Sequence, residues 1–270
     1  MLELSNLCKT FNAGTVNEVN ALRDVSLTIE DGSFVCVLGT NGSGKSTLLN
    51  AVAGTFITDS GLIALNGKNI TRLPEHKRAF LIGRVFQNPF TGTAPAMSVG
   101  ENLALAAKRG KSRGLGWGLP ASLVSDLKNR IKALNMGLEE RLDTPIGKLS
   151  GGQRQALTLL MASWLKPELL LLDEHTAALD PKTASKVIEL TERVVSEGKL
   201  TTLMVTHSMQ QAVNLGDRII MMHQGKIKYD FSKDEKKRLK VADLLSLFDE
   251  LRHKDQIDTG VADLLLSDYV

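Results

Sequence analysis

The sequence predicts an α/β fold built around a mostly parallel sheet, and three observations carry the prediction. Short apolar runs of strand type alternate along the chain with stretches of helical spacing. A glycine-rich segment, Gly39 to Gly44, stands between one such run and a helical stretch. A second run, Leu169 to Leu172, ends in the carboxylates Asp173 and Glu174, and open α/β sheets bind their ligands at strand ends.

Taken in order, Val25–Glu30 reads as an antiparallel-type strand closed by the turn Asp31-Gly32. Core strands are expected at Ser33–Leu38, Leu81–Phe86, Leu169–Leu172 and Thr201–Val205, with a helix at Ser46–Ala53 after the first of them. A second helix, Lys182–Ser196, has a clear start signal: Asp180 can cap it, and Pro181 suits the first helical position. From Asn88 to Leu165 strand signals are missing and the pattern is helical. Within that stretch Lys108 to Gly114, followed by Gly116, Trp117 and Gly118, has the composition of an exposed loop. From Lys233 onward the chain is charged and helical, with Val241, Leu244, Leu245, Phe248 and Leu251 at helical spacing. No internal repeat or low-complexity tract interrupts it.

The chain has 270 residues, 43% of them apolar, enough for one large domain or two small ones. A net charge of only +3 argues against a dedicated nucleic-acid binder, and an aromatic content of 4% argues against base-stacking platforms. The two cysteines are Cys8 and Cys36; Cys36, inside Phe34 to Leu38, reads as a free thiol in a buried strand, and the pair fits a reducing cytoplasm. Met1-Leu2-Glu3-Leu4 does not open a signal peptide, and no apolar run is long enough to cross a bilayer. A membrane role is therefore expected to come through a partner.

Gly39-Thr40-Asn41-Gly42-Ser43-Gly44-Lys45-Ser46 has the spacing G-x-x-x-x-G-K-[ST] between a strand and a helix. Glycines let the backbone wrap closely around phosphate oxygens, and the N–H groups of the loop and helix start offer positive potential to an anion. Lys45 is expected to reach the β- and γ-phosphates of a nucleotide and the Ser46 hydroxyl to bind Mg²⁺. Asp173 would hold the hydrated Mg²⁺, and Glu174 would orient the attacking water in line with the γ-phosphate.

Leu149-Ser150-Gly151-Gly152-Gln153, about one helix ahead of the acidic strand, is the more specific segment. Here the sequence resembles the ABC ATPase family, whose signature is L-S-G-G-Q. The resemblance runs to about Tyr229. It implies a P-loop NTPase with a RecA-like core (1–88 and 165–229), an antiparallel β subdomain and an inserted α-helical subdomain at about 89–164; beyond its reach, 230–270 reads from its charge and spacing as a C-terminal helical extension. It further implies ATP and Mg²⁺ as ligands. Gln87 is similar to the family's glutamine that contacts Mg²⁺ and the water and links the site to the membrane partner. Ala178-Leu179-Asp180 resembles the D-loop, and His207 the switch histidine at the γ-phosphate. Phe11 stands where the family lays an aromatic ring on adenine, and Thr47 completes the nucleotide-binding set. Singly, Phe11 also reads as a core ring and His207 as a structural residue; their order along one chain is what joins them. One departure stands out: the family has proline after the catalytic glutamate, and this chain has His175. With the switch role filled by His207, His175 reads as the mark of a subfamily rather than half of an acid–base couple.

The family's signature covers the γ-phosphate of a nucleotide held by the other subunit, so the resemblance implies a head-to-tail dimer of two copies. One ATPase domain without a membrane span implies a separate transmembrane permease. It also implies a place on the cytoplasmic face of a bacterial membrane and, for an importer, an extracytoplasmic solute-binding protein. The stretches Gly83 to Pro89, Gly92 to Pro95 and Leu172 to Asp180 resemble a bacterial importer group linked to aromatic amino acids, with permeases similar to those for ribose and branched-chain amino acids. An ATPase driving lipid or lipoprotein extraction, or another mechanical process, is the alternative; the insertion from Ala13 to Val19 is compatible with it. The basic segment Lys108 to Arg113 reads either as a solvated loop or as a neighbour of the permease or anionic lipid.

Overall fold

Unbroken apolar strands arise when both faces of a sheet are covered, and the central sheet shows why. Successive side chains of a strand point to opposite faces. Val35, Val37, Leu169, Leu171, Leu203 and Val205 accordingly enter one buried cluster, while Cys36, Leu38, Leu170, Leu172 and Met204 enter another. The structure is a computed structural model and describes residues 1–110 and 121–251.

The central sheet has six strands in the order β10-β9-β3-β8-β7-β6. They are β3 (Phe34–Gly39), β6 (Ile82–Val85), β7 (Leu169–Asp173), β8 (Thr202–Val205), β9 (Arg218–His223) and β10 (Lys226–Phe231). All its pairings are parallel except β9 with β10. A four-stranded antiparallel sheet, β2-β1-β4-β5, is built from β1 (Leu2–Phe11), β2 (Val19–Ile29), β4 (Ser60–Leu65) and β5 (Lys68–Asn69). Its apolar residues share a cluster with α1 (Lys45–Ala53) and one face of the central sheet. On the other face pack α5 (Gly151–Ser163), α6 (Pro181–Gly198) and α7 (Met209–Asn214).

The four expected core strands and both expected helices are present with ends shifted by a few residues. The strand expected at Val25–Glu30 starts earlier, at Val19. Strands β1, β4, β5, β9 and β10 carry no motif and are not assigned from sequence; in β10 alternate residues are exposed and in β1 polar residues break the apolar run, whereas β9 is buried beyond Arg218. Between β6 and β7 the described residues form α3 (Val99–Ala107), α4 (Ala121–Lys132), a short 3-10 turn and α5, with no strand. Of the segment read as an exposed loop, residues 111–120 lie outside the described residues. After α8 (Lys233–Lys236), residues 241–251 are helical. Leu244 and Leu251 are buried against the α5–α6 face, whereas Leu245 is 48% exposed. The extension is also fastened by Lys236, whose ammonium donates to Leu215 O at 2.6 Å. Beneath it Cys36 is buried as a free thiol, pushed up to about 12 by desolvation.

The end of α1 shows how local physics shapes the molecule. A helix leaves its last carbonyls without partners and gathers negative potential there. Arg78, at the end of α2 (Glu75–Arg78), is fully buried and answers both needs. It donates to Ala51 O and Val52 O, each at 2.8 Å, and to Leu73 O and Thr71 O at 2.7 and 2.8 Å. Arg78→Met removes these donors and leaves buried carbonyls bare. A loss of at least about 3 kcal/mol of stability is expected, read as a lower urea midpoint at unchanged slope.

Candidate nucleotide-binding and hydrolysis site

The loop after β3 is shaped by two glycines. A Cβ on Gly39 would lie 2.4 Å from Met222 O, and one on Gly44 would lie 2.5 Å from Ala21 O, so no larger residue fits between β3 and its neighbours. Gly44, at φ 100°, opens α1 without a capping side chain, and the first turn carries no acid. The leading N–H groups of α1 therefore have no side-chain competitor for an anion. Lys45 folds back over the loop, donating to Gly39 O at 2.8 Å and Thr40 O at 2.9 Å. Burial lowers its pKa, and Glu174 and Asp173 oppose that shift. The Ser43 hydroxyl is buried without a partner. A backbone cradle, a buried ammonium and a free hydroxyl form a donor set that fits nucleotide phosphates.

Asp173 ends β7 beside this loop. Burial raises its pKa, while Arg84, Lys45 and a hydrogen bond from Ser46 pull it down. Arg84 lies 3.7 Å from the Asp173 carboxylate and also donates to Asn50 Oδ1 of α1 at 2.6 Å. Glu174 follows at φ 43°, a left-handed conformation that is strained for a side chain with a Cβ. Its N–H donates to Val205 O at 3.0 Å, and its own carbonyl accepts from Ala177 N at 2.9 Å. The carboxylate meets His207 Nε2 at 2.5 Å on one oxygen and accepts from Gln87 Nε2 at 3.0 Å on the other. Three residues distant in sequence, Gln87, Glu174 and His207, thus meet at one end of the central sheet.

Ser150 caps α5, and Gln153 completes the reciprocal pair of hydrogen bonds at the helix start. Ser150 and Gly151 are exposed, while Gly152 is buried. Asp180 caps α6 through Thr183 N at 3.0 Å, and Pro181 takes the first helical position. Phe11 is half-buried and edge-on to Phe56, with ring centroids 5.3 Å apart.

Sequence reading overlooked the links between these parts. Gln155 donates to Phe86 O at 3.2 Å, one residue ahead of Gln87. Arg154 binds Ile146 O, Gly147 O and Leu149 O, and stacks 3.5 Å from the Phe90 ring centre. Both residues directly follow the signature, which was the available hint. His175 is 2% exposed and turned away from catalysis: its Nε2 lies 2.9 Å from Thr191 Oγ1 on α6.

A family model described as "ABC transporter" matches residues 22–177. The chain belongs to the ABC transporter family. It is an ATP-binding cassette of that family, whose cassettes are ATPases. The tyrosine transport ATP-binding protein of Clostridioides difficile (strain R20291) is 46% identical over 92% of this chain and 99% of its own length. A spermidine/putrescine import ATP-binding protein of Haemophilus influenzae is 35% identical over 87% of this cassette and 59% of its own length. Among solved structures, a dimeric ATP-binding cassette in a post-hydrolysis state with ADP and Pi has a TM-score of 0.74 at 30% identity, covering 86% of this chain and 99% of that one. A nucleotide-free cassette has the same TM-score of 0.74 at 25% identity, covering 91% and 95% of the two chains.

The buried histidine gives this cassette a pH signature. Desolvation lowers the pKa of His175 from 6.5 to about 4. The unfolded chain then binds more protons than the folded one between those values. Stability is complete above about pH 6.5 and falls as pH drops towards about 4, by about 3 kcal/mol in all. His175→Gln keeps a donor for Thr191 and should flatten that part of the stability–pH curve measured by urea unfolding. An unchanged slope would show that another group is responsible.

Proposed function

We propose that this cassette is the ATP-hydrolysing subunit of an importer, working as a head-to-tail dimer on a separate transmembrane permease. The observation that carries the reading is the Glu174 carboxylate, held between Gln87 and His207 beside the Lys45 loop. In this reading Gly39 to Thr47 bind the triphosphate, and Phe11 packs on adenine. Glu174 orients water towards the γ-phosphorus, and His207 holds the γ-phosphate. Attack forms a new bond from water oxygen to phosphorus and breaks the bond to the bridging oxygen of ADP. Mg²⁺ would supply charge neutralisation at the β- and γ-oxygens. Ser46, Gln87 and, through water, Asp173 are the oxygen donors suited to it. Among the described residues no cluster of three His, Cys, Asp or Glu side chains offers a metal cage.

Ser150, Gly151 and Gly152, at the start of α5, are assigned to the γ-phosphate of the nucleotide held by the second copy, with Asp180 at the same interface. Likeness to a dimeric cassette with ADP and Pi supports this arrangement. ATP then joins two copies, and loss of the γ-phosphate parts them.

The permease reading draws on a cavity of about 380 Å³ between the core and the helices that follow Gln87. Arg84, Phe86, Leu105, Ala106, Arg109 and Met161 line it, and it is mostly apolar. Arg84 and Phe86 put this face next to Asp173 and Gln87, so an occupant could be sensed at the site. No helix among the described residues is long and apolar enough to cross a membrane. The similarity to a tyrosine transport ATP-binding protein supports an aromatic amino acid as cargo; an importer of this kind would take a solute-binding protein as a further partner.

Glu174→Gln is expected to lower hydrolysis at least about 100-fold and to trap an ATP-bound dimer. Light scattering at saturating Mg-ATP decides this; a monomer there would sink the dimer reading. The trapped variant, drawn from detergent-solubilised membranes, should bring a multispanning permease with it. Leu105→Trp, which fills the cavity, should abolish that recovery while ATP affinity of the isolated cassette stays within about twofold. Recovery of a soluble dimer alone would point instead to a mechanical ATPase.

A further inference from the structure

The turn that carries Glu174 is fastened on two sides. His175 ties it to α6 through Thr191. Thr176 ties it to α7, because Gln211 Nε2 donates to Thr176 Oγ1 at 3.1 Å. The same amide accepts from Thr206 Oγ1 at 2.8 Å through Gln211 Oε1. Thr206 directly precedes His207, and Thr176 lies two residues beyond Glu174. One side chain therefore spans the two loops that present the hydrolytic pair.

The bridge has a defined sense. Thr206 Oγ1 accepts from Ser208 N at 3.1 Å and donates its own proton to the Gln211 oxygen. The amide nitrogen is then directed at Thr176. Gln211 is itself held, since its backbone N–H donates to Ser208 Oγ at 3.2 Å at the start of α7. Thr176 and Thr206 are 8% and 4% exposed, so water cannot readily replace the amide. The His207 side chain, by contrast, is 47% exposed. Its imidazole stands 2.5 Å from Glu174, so the placement of the backbone at 206–208 bears directly on that contact.

We propose that Gln211 is a positioning residue for ATP hydrolysis: it sets the separation of His207 and Glu174 by tying Thr206 to Thr176. The inference rests on the reading that Glu174 and His207 carry the hydrolysis. Gln211 touches neither nucleotide nor water in this role. It acts through the loops, and a misplacement of about 1 Å at such a pair is enough to cost about 100-fold in rate.

The experiment measures kcat and KM for ATP, with melting temperature, on Gln211→Met, Gln211→Glu and Thr176→Val, beside Glu174→Gln and His207→Ala. Gln211→Met keeps the length and loses both hydrogen bonds. It should lower kcat at least about tenfold and leave KM within about threefold, the pattern of a group acting on the transition state. Gln211→Glu keeps the acceptor for Thr206 and lets the Thr176 hydroxyl rotate to donate, so it should restore kcat to within about threefold of wild type. Thr176→Val cuts the other end of the bridge and should reproduce the loss, which keeps the test open if Gln211→Met does not fold. Wild-type kcat in both Gln211→Met and Thr176→Val would overturn the proposal, as would kcat and KM deteriorating together or a Gln211→Glu variant no better than Gln211→Met. Full hydrolysis by Glu174→Gln and His207→Ala would instead remove the reading beneath it.

Discussion

Val37 of β3, Val205 of β8 and Asp173 of β7 stand level across the central sheet, and the site depends on that register. The phosphate loop begins two residues past Val37, His207 two residues past Val205, and Glu174 one residue past Asp173. Burial on both faces holds the register: a slip of one residue would turn every side chain of a strand to the opposite cluster. Strands β7 and β8 alternate between two filled cores, so neither has a neutral alternative.

On that platform the local conformations are expensive and are held by the surroundings. Glu174 sits at φ 43°, and strain of this kind costs about 1–3 kcal/mol. The Val205 carbonyl, the buried His175–Thr191 contact and the Thr176–Gln211 bridge surround it. The residue after Glu174 is a histidine that spends its ring on α6. Its neutral state follows from complete desolvation and from a hydroxyl that satisfies Nε2.

The helix opened by the signature is joined to the Gln87 segment at two points, Gln155 to Phe86 O and Arg154 to Phe90. Arg84 adds a third link, between the mostly apolar cavity and Asp173. In the proposed reading these contacts run from the face offered to a permease, through the residues assigned to hydrolysis, to the signature.

The sequence alone determined the phosphate loop, the acidic strand end and the signature, because each needs particular residue types at fixed local spacing. It also determined four strands of the central sheet and the cap at Asp180, where the reason is again local. Tertiary structure decided what those signals could not reach. Strands β1 and β10 lack a continuous apolar run, and Arg78 looks like any surface arginine until four carbonyls converge on it. The meeting of Gln87, Glu174 and His207, and the bridge through Gln211, join residues from separate strands and loops. Their contact energies exist only once the sheet has set the distances, so no spacing along the chain could have encoded them visibly.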